Sequence, residues 1–161
     1  MKRIDASDWQ EFVIGDLFDI RPTVSYKENN AVLFDGGSNP VVVNSSLNNG
    51  IGGYTSRPTT EKGGRITFSD TTTASAVFYQ PKDFVGYSHI QGLNPIGDFA
   101  DKWTEKSLLF FLTIFKTSAA SHCFDYTHKF TRRIASSMVV KLPAISGEPD
   151  WAIWRAIWRS F

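Results

Sequence analysis

Residues 39–70, NPVVVNSSLNNGIGGYTSRPTTEKGGRITFSD, decide how this chain is read. The run Val41–Val43 is short, β-branched and apolar, the pattern of a buried strand, and strand character returns at Arg65–Phe68. About twenty residues of amide, hydroxyl, glycine and a few cations separate the two runs, a length that in a compact chain marks either function or disorder. They include Asn44-Ser45-Ser46, Asn48-Asn49-Gly50 and Gly52-Gly53-Tyr54, few of which can fill a core. Asn and Ser offer donors and acceptors together, and glycine lets backbone approach a ligand closely. That chemistry favours a recognition loop, with a plain polar hairpin connection as the alternative.

Upstream, Asp8–Arg21 (DWQEFVIGDLFDIR) reads as strand, short turn and strand, with Gly15-Asp16 as the break and Asp16 available to cap one helical turn. Residues 29–39 read as loop, punctuated by Gly36-Gly37 and Asn39-Pro40. Downstream, Ala76–Gln80 and Phe84–Tyr87 read as a hairpin around Pro81-Lys82-Asp83, followed by a short strand at Ser88–Gly92. Asp70–Ser75 (DTTTAS) repeats the hydroxyl chemistry of the central stretch and is expected at the same end of the sheet.

Helical signals come later. Thr104 is a fair N-cap, and Glu105 suits the positive end of a helix. Leu108, Phe111, Leu112 and Phe115 repeat at helical spacing, while Leu109, Phe110 and Ile114 occupy other faces, so a buried helix is expected at about 104–120. Met138–Leu142 reads as a strand stopped by Pro143, and Asp150 as the N-cap of a helix that opens with Trp151. The fold class that follows is α+β: a twisted, largely antiparallel sheet, one buried helix and a C-terminal helix start. One domain is expected over residues 1–147, with 148–161 beginning a separate helix.

Composition limits the function. Lys plus Arg number 17 against 16 Asp plus Glu, a formal charge of +1, so any grip on phosphate must come from a local cluster. The densest such cluster is Lys129, Arg132 and Arg133. A lone Cys123 excludes an internal disulfide and fits a reducing cytoplasm. The opening MKRIDASDWQEF is too polar for a secretion signal, and no window approaches the about eighteen apolar residues of a membrane span. No metal site is expected, because His122, Cys123 and His128 lack zinc-ligand spacing. No glycine run leads into Lys-Ser or Lys-Thr and a helix, and the carboxylates are scattered, so nothing demands an enzyme.

A recognition surface explains more. Base edges are read by Asn, Gln, Ser, Thr and Arg side chains, which the chain offers as Asn44, Ser45, Ser46, Asn48, Asn49, Thr55 and Arg57, with Tyr54 between them. The later segments add Thr71, Thr72, Thr73, Ser88, His89 and Gln91. Lys129, Arg132 and Arg133 are candidate phosphate ligands, with Arg65 as a weaker one; a solvated surface is the alternative for that cluster.

The succession FVIGDLFDI, NPVVVNSSLNNGIGGY, GGRITFSD, AVFYQPKDF, LLFFLTIF, YTHKFTRRIASSMVVKLP and GEPDW resembles a target recognition domain of a type I restriction–modification specificity subunit. The most telling pieces are LPxxxGEPDW and the Lys-Phe-Thr-Arg element at Lys129–Arg132. The resemblance implies a non-catalytic reader of double-stranded DNA that directs methyltransferase subunits and, as a further partner, a restriction subunit. It implies no cofactor on this chain, S-adenosylmethionine being bound by the methyltransferase partner. A full-length member joins two such domains through long helices, whereas here the helix after Pro149-Asp150-Trp151 reaches only Phe161, as in a half-subunit. Trp151, Trp154, Ile157, Trp158 and Phe161 then form an apolar stripe assigned to a second copy, in a homodimer, or to a partner helix; the domain's own surface is the alternative. Two other readings stay open: the recognition part of a hybrid restriction endonuclease, and a polar-loop module binding sugar or protein.

Overall fold

The computed structural model describes residues 5–71, 76–125 and 127–157. The chain begins with strand β1 (Gln10–Val13), one helical turn α1 (Ile14–Leu17) and strand β2 (Phe18–Pro22). A second turn, α2 (Asn30–Leu33), precedes β3 (Asn39–Val42), β4 (Ile51–Thr55), β5 (Arg65–Ser69), β6 (Val77–Gln80) and β7 (Ile90–Pro95). The long helix α3 (Glu105–Ser121), the short α4 (Arg132–Ser137), β8 (Val139–Leu142), β9 (Ala144–Ile145), β10 (Glu148–Pro149) and α5 (Trp151–Ile157) complete it.

The main sheet has four strands in the order β2-β7-β5-β6, every neighbour antiparallel. Its register puts Phe18 and Ile20, Leu93, Ile66 and Phe68, and Val77 on one face, because alternate residues of a strand point the same way. Helix α3 lies across that face. Thr104 caps it, its side chain accepting from the Ser107 amide while the Ser107 hydroxyl accepts from the Thr104 amide. Phe111 sits 4.8 Å from Phe18 and Phe115 5.9 Å from Phe68, ring centre to ring centre. The other side of α3 (Lys106, Thr113, Lys116, Thr117) is exposed, so the helix is half-buried rather than apolar all round.

On the opposite face the sheet is polar at its centre, where Gln80 Nε2 donates to Thr67 Oγ1 at 3.1 Å. There β3 and β4 form an antiparallel hairpin, with small apolar clusters around Val41, Val85 and Leu33 and around Val42, Phe84 and Ile90. Residues 44–64 are therefore not one loop, because β4 lies inside them. Gly52 and Gly53 are strand residues whose missing side chains make room for protein: a Cβ on Gly53 would sit 2.7 Å from Phe34 Cγ, and one on Gly52 2.5 Å from Val43 Cγ2. Two glycines erase the alternation by which a strand is recognised.

Other expectations need correction. Residues 30–33 form a helical turn, capped by Asn29 Oδ1 accepting from the Val32 amide, where a loop was expected. Asp16 lies inside α1, whose N-cap is Val13 and carries no side-chain cap. Phe84 and Val85 do not close a hairpin on β6; they bridge Glu61 and Val41 instead, and β7 runs on through Asn94-Pro95.

The C-terminal stripe is corrected as well. Asp150 Oδ1 accepts from the Ile153 amide at 3.1 Å and starts α5 as expected. Trp154, however, is fully buried in its own domain, with its ring 5.2 Å from Trp103 and 5.7 Å from Phe110 and its Nε1 donating to the Pro143 carbonyl at 3.0 Å. The Trp154 ring is thus spent on its own domain rather than on a second copy. Trp151 is half-buried beside it, 5.0 Å from Trp103. Thr72, Thr73, Trp158, Phe161 and the side chain of Ile157 lie outside the described residues. Trp154→Ala is expected to destabilise the domain by about 3–5 kcal/mol, and Ile153→Ala, on the exposed side of α5, by less than about 0.5 kcal/mol. Urea unfolding of the two variants measures both.

Candidate nucleic-acid interface

A cationic groove forms where the main sheet runs beyond α3. It has a volume of about 730 Å³ and is lined by Pro22, Asp70 and Gln91 from the sheet side and by Thr127–Lys129 and Thr131–Ile134 from the segment ahead of and within α4. The sequence Lys129-Phe130-Thr131-Arg132-Arg133 builds it in a simple way. Phe130 is fully buried, its ring 4.7 Å from Phe68, 5.6 Å from Phe115 and 4.8 Å from Phe124. Thr131 Oγ1 accepts from the Ile134 amide at 3.3 Å and so starts α4. With Phe130 turned inward and the helix start fixed, Lys129 on one side and Arg132 and Arg133 on the other are held at the surface. Among the described residues no ion pair is formed by Arg132 or Arg133.

Ahead of Lys129 the loop is shaped by Asp125. Its Oδ1 accepts from the Thr127 amide, the Thr127 hydroxyl and the His128 amide, each at 2.7 Å. The Thr127 hydroxyl, then the two amides, hold its carboxyl below the ordinary carboxylate value. His122 and His128 both stack on the Phe124 ring, at 5.5 and 5.2 Å.

The sheet side carries the acceptors. Asp70 Oδ2 accepts from Gln91 Nε2 at 2.8 Å, and its Oδ1 lies 3.1 Å from His89 Nδ1. Gln91 pairs with Phe68 and Pro22 across the strands, on the face that α3 covers further along. It is only 5% exposed, and its Oε1 is buried without a hydrogen-bond partner among the described residues. A buried acceptor left so costs about 1–3 kcal/mol.

The expected site residues divide between two places. Gln91, Lys129, Arg132 and Arg133 meet in the groove, with His89 beside it through Asp70. None of the β3–β4 hairpin residues lines it. At the hairpin tip Asn44, Ser46 and Asn48 are exposed and Leu47 is 74% exposed, while Ser45 Oγ accepts from the Leu47 amide at 3.1 Å. Tyr54 is half-exposed, Ser88 exposed and Thr71 partly buried, its hydroxyl 2.9 Å from that of Ser69.

Four of the expected DNA contacts are bonded within the domain. Asn49 Nδ2 donates to the Tyr79 carbonyl at 3.0 Å and to Gln80 Oε1 at 3.2 Å, so it pins the hairpin to β6. Thr55 is fully buried, its hydroxyl accepting from the Arg57 amide at 3.2 Å. Arg57 pairs with Glu28 at 2.7 Å, and Arg65, mostly buried, pairs with Glu61 at 3.1 Å. These four hold the scaffold. Sequence reasoning missed Asp70, His128, Thr127 and Thr131 as groove residues; the last three sit in the same short element as Lys129, whereas nothing local marks Asp70 or Pro22. Among the described residues no group of His, Cys, Asp and Glu is placed to hold a metal ion, and no helix is long and apolar enough to cross a membrane.

A family model for the type I restriction modification DNA specificity domain matches residues 6–155, and the chain belongs to that family. Its fold is similar to that of the S subunit of a type I restriction-modification system from M. genitalium, with a TM-score of 0.62 and 14% identity over 95% of this chain and 38% of that one. The HsdS subunit from Thermoanaerobacter tengcongensis is similar to the same degree, at a TM-score of 0.61 and 14% identity over 96% of this chain and 36% of that one. A chain from a type I R-M system studied for its assembly and conformational transition matches at a TM-score of 0.60 and 14% identity. At such identity the likeness is one of fold, and the chain spans 36–38% of the length of these solved chains. A comparison with curated protein sequences gave no significant match.

The depressed Asp125 carboxyl carries a pH signature. A group whose folded value lies below its unfolded one stabilises the fold at pH above the unfolded value and loses that contribution as pH falls through the folded one. Asp125→Asn is therefore expected to unfold more easily than wild type at neutral pH, the two converging as pH falls below 3.8, the ordinary value of this carboxyl. Thermal unfolding followed across that range checks it.

Proposed function

We propose that this chain reads double-stranded DNA sequence as one recognition domain of a type I specificity subunit. In this reading it performs no chemistry itself and directs methyltransferase subunits, which bring S-adenosylmethionine, and a restriction subunit to the site it selects. Its place of work is the cytoplasm, where the DNA and those partners are met. The carrying observation is the groove wall: Lys129, Arg132 and Arg133 are exposed, held together by one buried phenylalanine, and two of them have no neutralising carboxylate among the described residues. Such a cluster on an almost neutral chain of formal charge +1 localises attraction for phosphate to one face. Arg in particular grips phosphate oxygens with paired donors.

The exposed hairpin tip serves as a second contact, its amides and hydroxyls suited to base edges. The segment from residue 148 has a double use in this reading: Trp154 closes the domain, while the outward face with Ile153, 44% exposed, is left for the remainder of a specificity subunit or for methyltransferase contact. Membership of the specificity family supports DNA reading over both a hybrid endonuclease and a sugar- or protein-binding module.

Arg133→Ala is expected to weaken binding to all duplexes alike and to lower the slope of log affinity against log salt by about one unit. Fluorescence anisotropy with random and selected duplexes, over a salt series, measures both quantities. An affinity that ignores salt would contradict the assignment. Asn48→Ala is expected to relax preference at one or two base pairs by about 1–3 kcal/mol each without changing that slope. Competition among single-base-pair variants of the selected duplex reads it.

A further inference from the structure

We propose that Leu47, at the apex of the β3–β4 hairpin, reads the C5-methyl group of one thymine in the major groove. The inference rests on the DNA-reading assignment and specifies what one part of that surface selects. Leu47 is 74% exposed, more than any other large apolar side chain among the described residues, and it joins none of their apolar clusters. A single exposed leucine is ordinary on a protein surface. This one is set apart by what holds it and by what surrounds it. Its amide donates to Ser45 Oγ at 3.1 Å, and its carbonyl accepts from the Gly50 amide at 2.9 Å. Asn49 Nδ2 donates to Gln80 Oε1 at 3.2 Å while Gln80 Nε2 donates to the Asn49 carbonyl at 3.1 Å, so the apex is bonded to β6 in both directions. The apolar side chain is therefore presented on fixed backbone, between the exposed Ser46 and Asn48.

A cation stands near this tip. Lys116, exposed on α3, has its Nζ 5.3 Å from the centre of the Phe78 ring, and Cδ2 of that ring is 3.2 Å from where a Cβ on Gly50 would sit. Among the described residues Lys116 forms no ion pair. The hairpin itself carries no charged residue from Asn44 to Thr55. A neutral apex beside a cation suits a duplex that lays its phosphates on the cation and turns base edges to the apex. Leucine has neither donor nor acceptor, so it selects by shape and water exclusion. The thymine methyl is the one apolar feature that base pairs present in the major groove. A polar edge set against Leu47 would lose its water without a replacement bond, which disfavours adenine, guanine and cytosine at that position. The hydroxyl and amide on either side suit the polar edges of neighbouring pairs.

The test uses the full chain and a site selected from a random duplex pool. Each thymine of that site is then replaced singly by uracil, which removes the methyl and keeps every hydrogen-bonding group, and affinity is read by fluorescence anisotropy. At one position the loss of the methyl is expected to weaken binding by the unsubstituted chain about threefold to tenfold, with the salt slope unchanged. Leu47→Ala is expected to bind the thymine duplex more weakly by a similar factor and to bind thymine and uracil duplexes alike. Leu47→Met, which keeps an apolar tip, is expected to retain the discrimination. Unfolding midpoints check that the variants are folded; should Leu47→Ala not fold, Leu47→Gln decides in its place. A selected site without thymine, or equal affinity for thymine and uracil at every position, overturns the inference and leaves DNA reading intact. Discrimination that survives Leu47→Ala also overturns it, since another group would then read the methyl. Failure of the unsubstituted chain to bind duplex, by contrast, removes the reading on which the inference rests.

Discussion

Everything in this domain is placed by the aromatic contact between α3 and one face of the four-stranded sheet. Phe18, Ile66, Phe68, Leu93 and Val77 supply the sheet surface, and Leu108, Phe111 and Phe115 the helix surface, all of them buried. Large rings dominate such a core because each removes more apolar area from water than any aliphatic side chain. The contact also propagates. Phe111 and Phe18 lie against Trp103, Trp103 against Trp154, and Phe115 and Phe68 against Phe130, so α5 and the loop before α4 are joined to the same packed unit.

The groove exists because that contact ends before the sheet does. Ser69, Asp70, Gln91 and Pro22 lie at the end of the strands where α3 gives way to the segment carrying Phe130 and α4. A face that is apolar along most of its length becomes polar there, which is why Gln91 shares a register with Phe68 and Pro22. Phe130 is the hinge of the arrangement in a purely geometric sense: one buried ring sets where three cations stand. Among the described residues no ion pair holds Arg132 or Arg133, so the wall takes its position from the packing of Phe130 and the start of α4.

The hairpin β3–β4 answers a different requirement. Its tip strings together left-handed residues, Asn48 at φ 50°, Asn49 at φ 55° and Gly50 at φ 76°, a run that Asn and Gly tolerate best. Asn49 spends its side chain on β6, and Asp35 and Glu28 hold the far end through Ser56 and Arg57. Rigid attachment at both ends leaves Asn44, Ser46 and Asn48 as the polar surface of a fixed platform. The two polar surfaces are separated within the sheet: Asn49 reaches β6 near Gln80, which pairs with Arg65, whereas Asp70, just past the other end of β5, lines the groove.

How much of this was legible in the chain follows from the range of each interaction. Helix α3 and its Thr104 cap, the strands β3, β5 and β8, and the Asp150 start of α5 are local patterns of spacing and capping, and the sequence by itself determined them. The succession of motifs likewise determined the family. What local patterns cannot carry is which polar groups meet. Arg57 and Arg65 look like free cations until Glu28 and Glu61 are folded beside them, and Asn49 looks like a base reader until β6 arrives. The stripe at Trp154 shows the same limit: an amphipathic helix announces that one face must be buried, but not against what. Only the tertiary structure decided that, by setting the ring against Trp103 and Phe110 and its nitrogen on the Pro143 carbonyl. The groove was hidden for the same reason. Its two sides, Asp70 with Gln91 and Lys129 with Arg132 and Arg133, are far apart in the chain, and burial of Phe130 against Phe68 is the contact that brings them together.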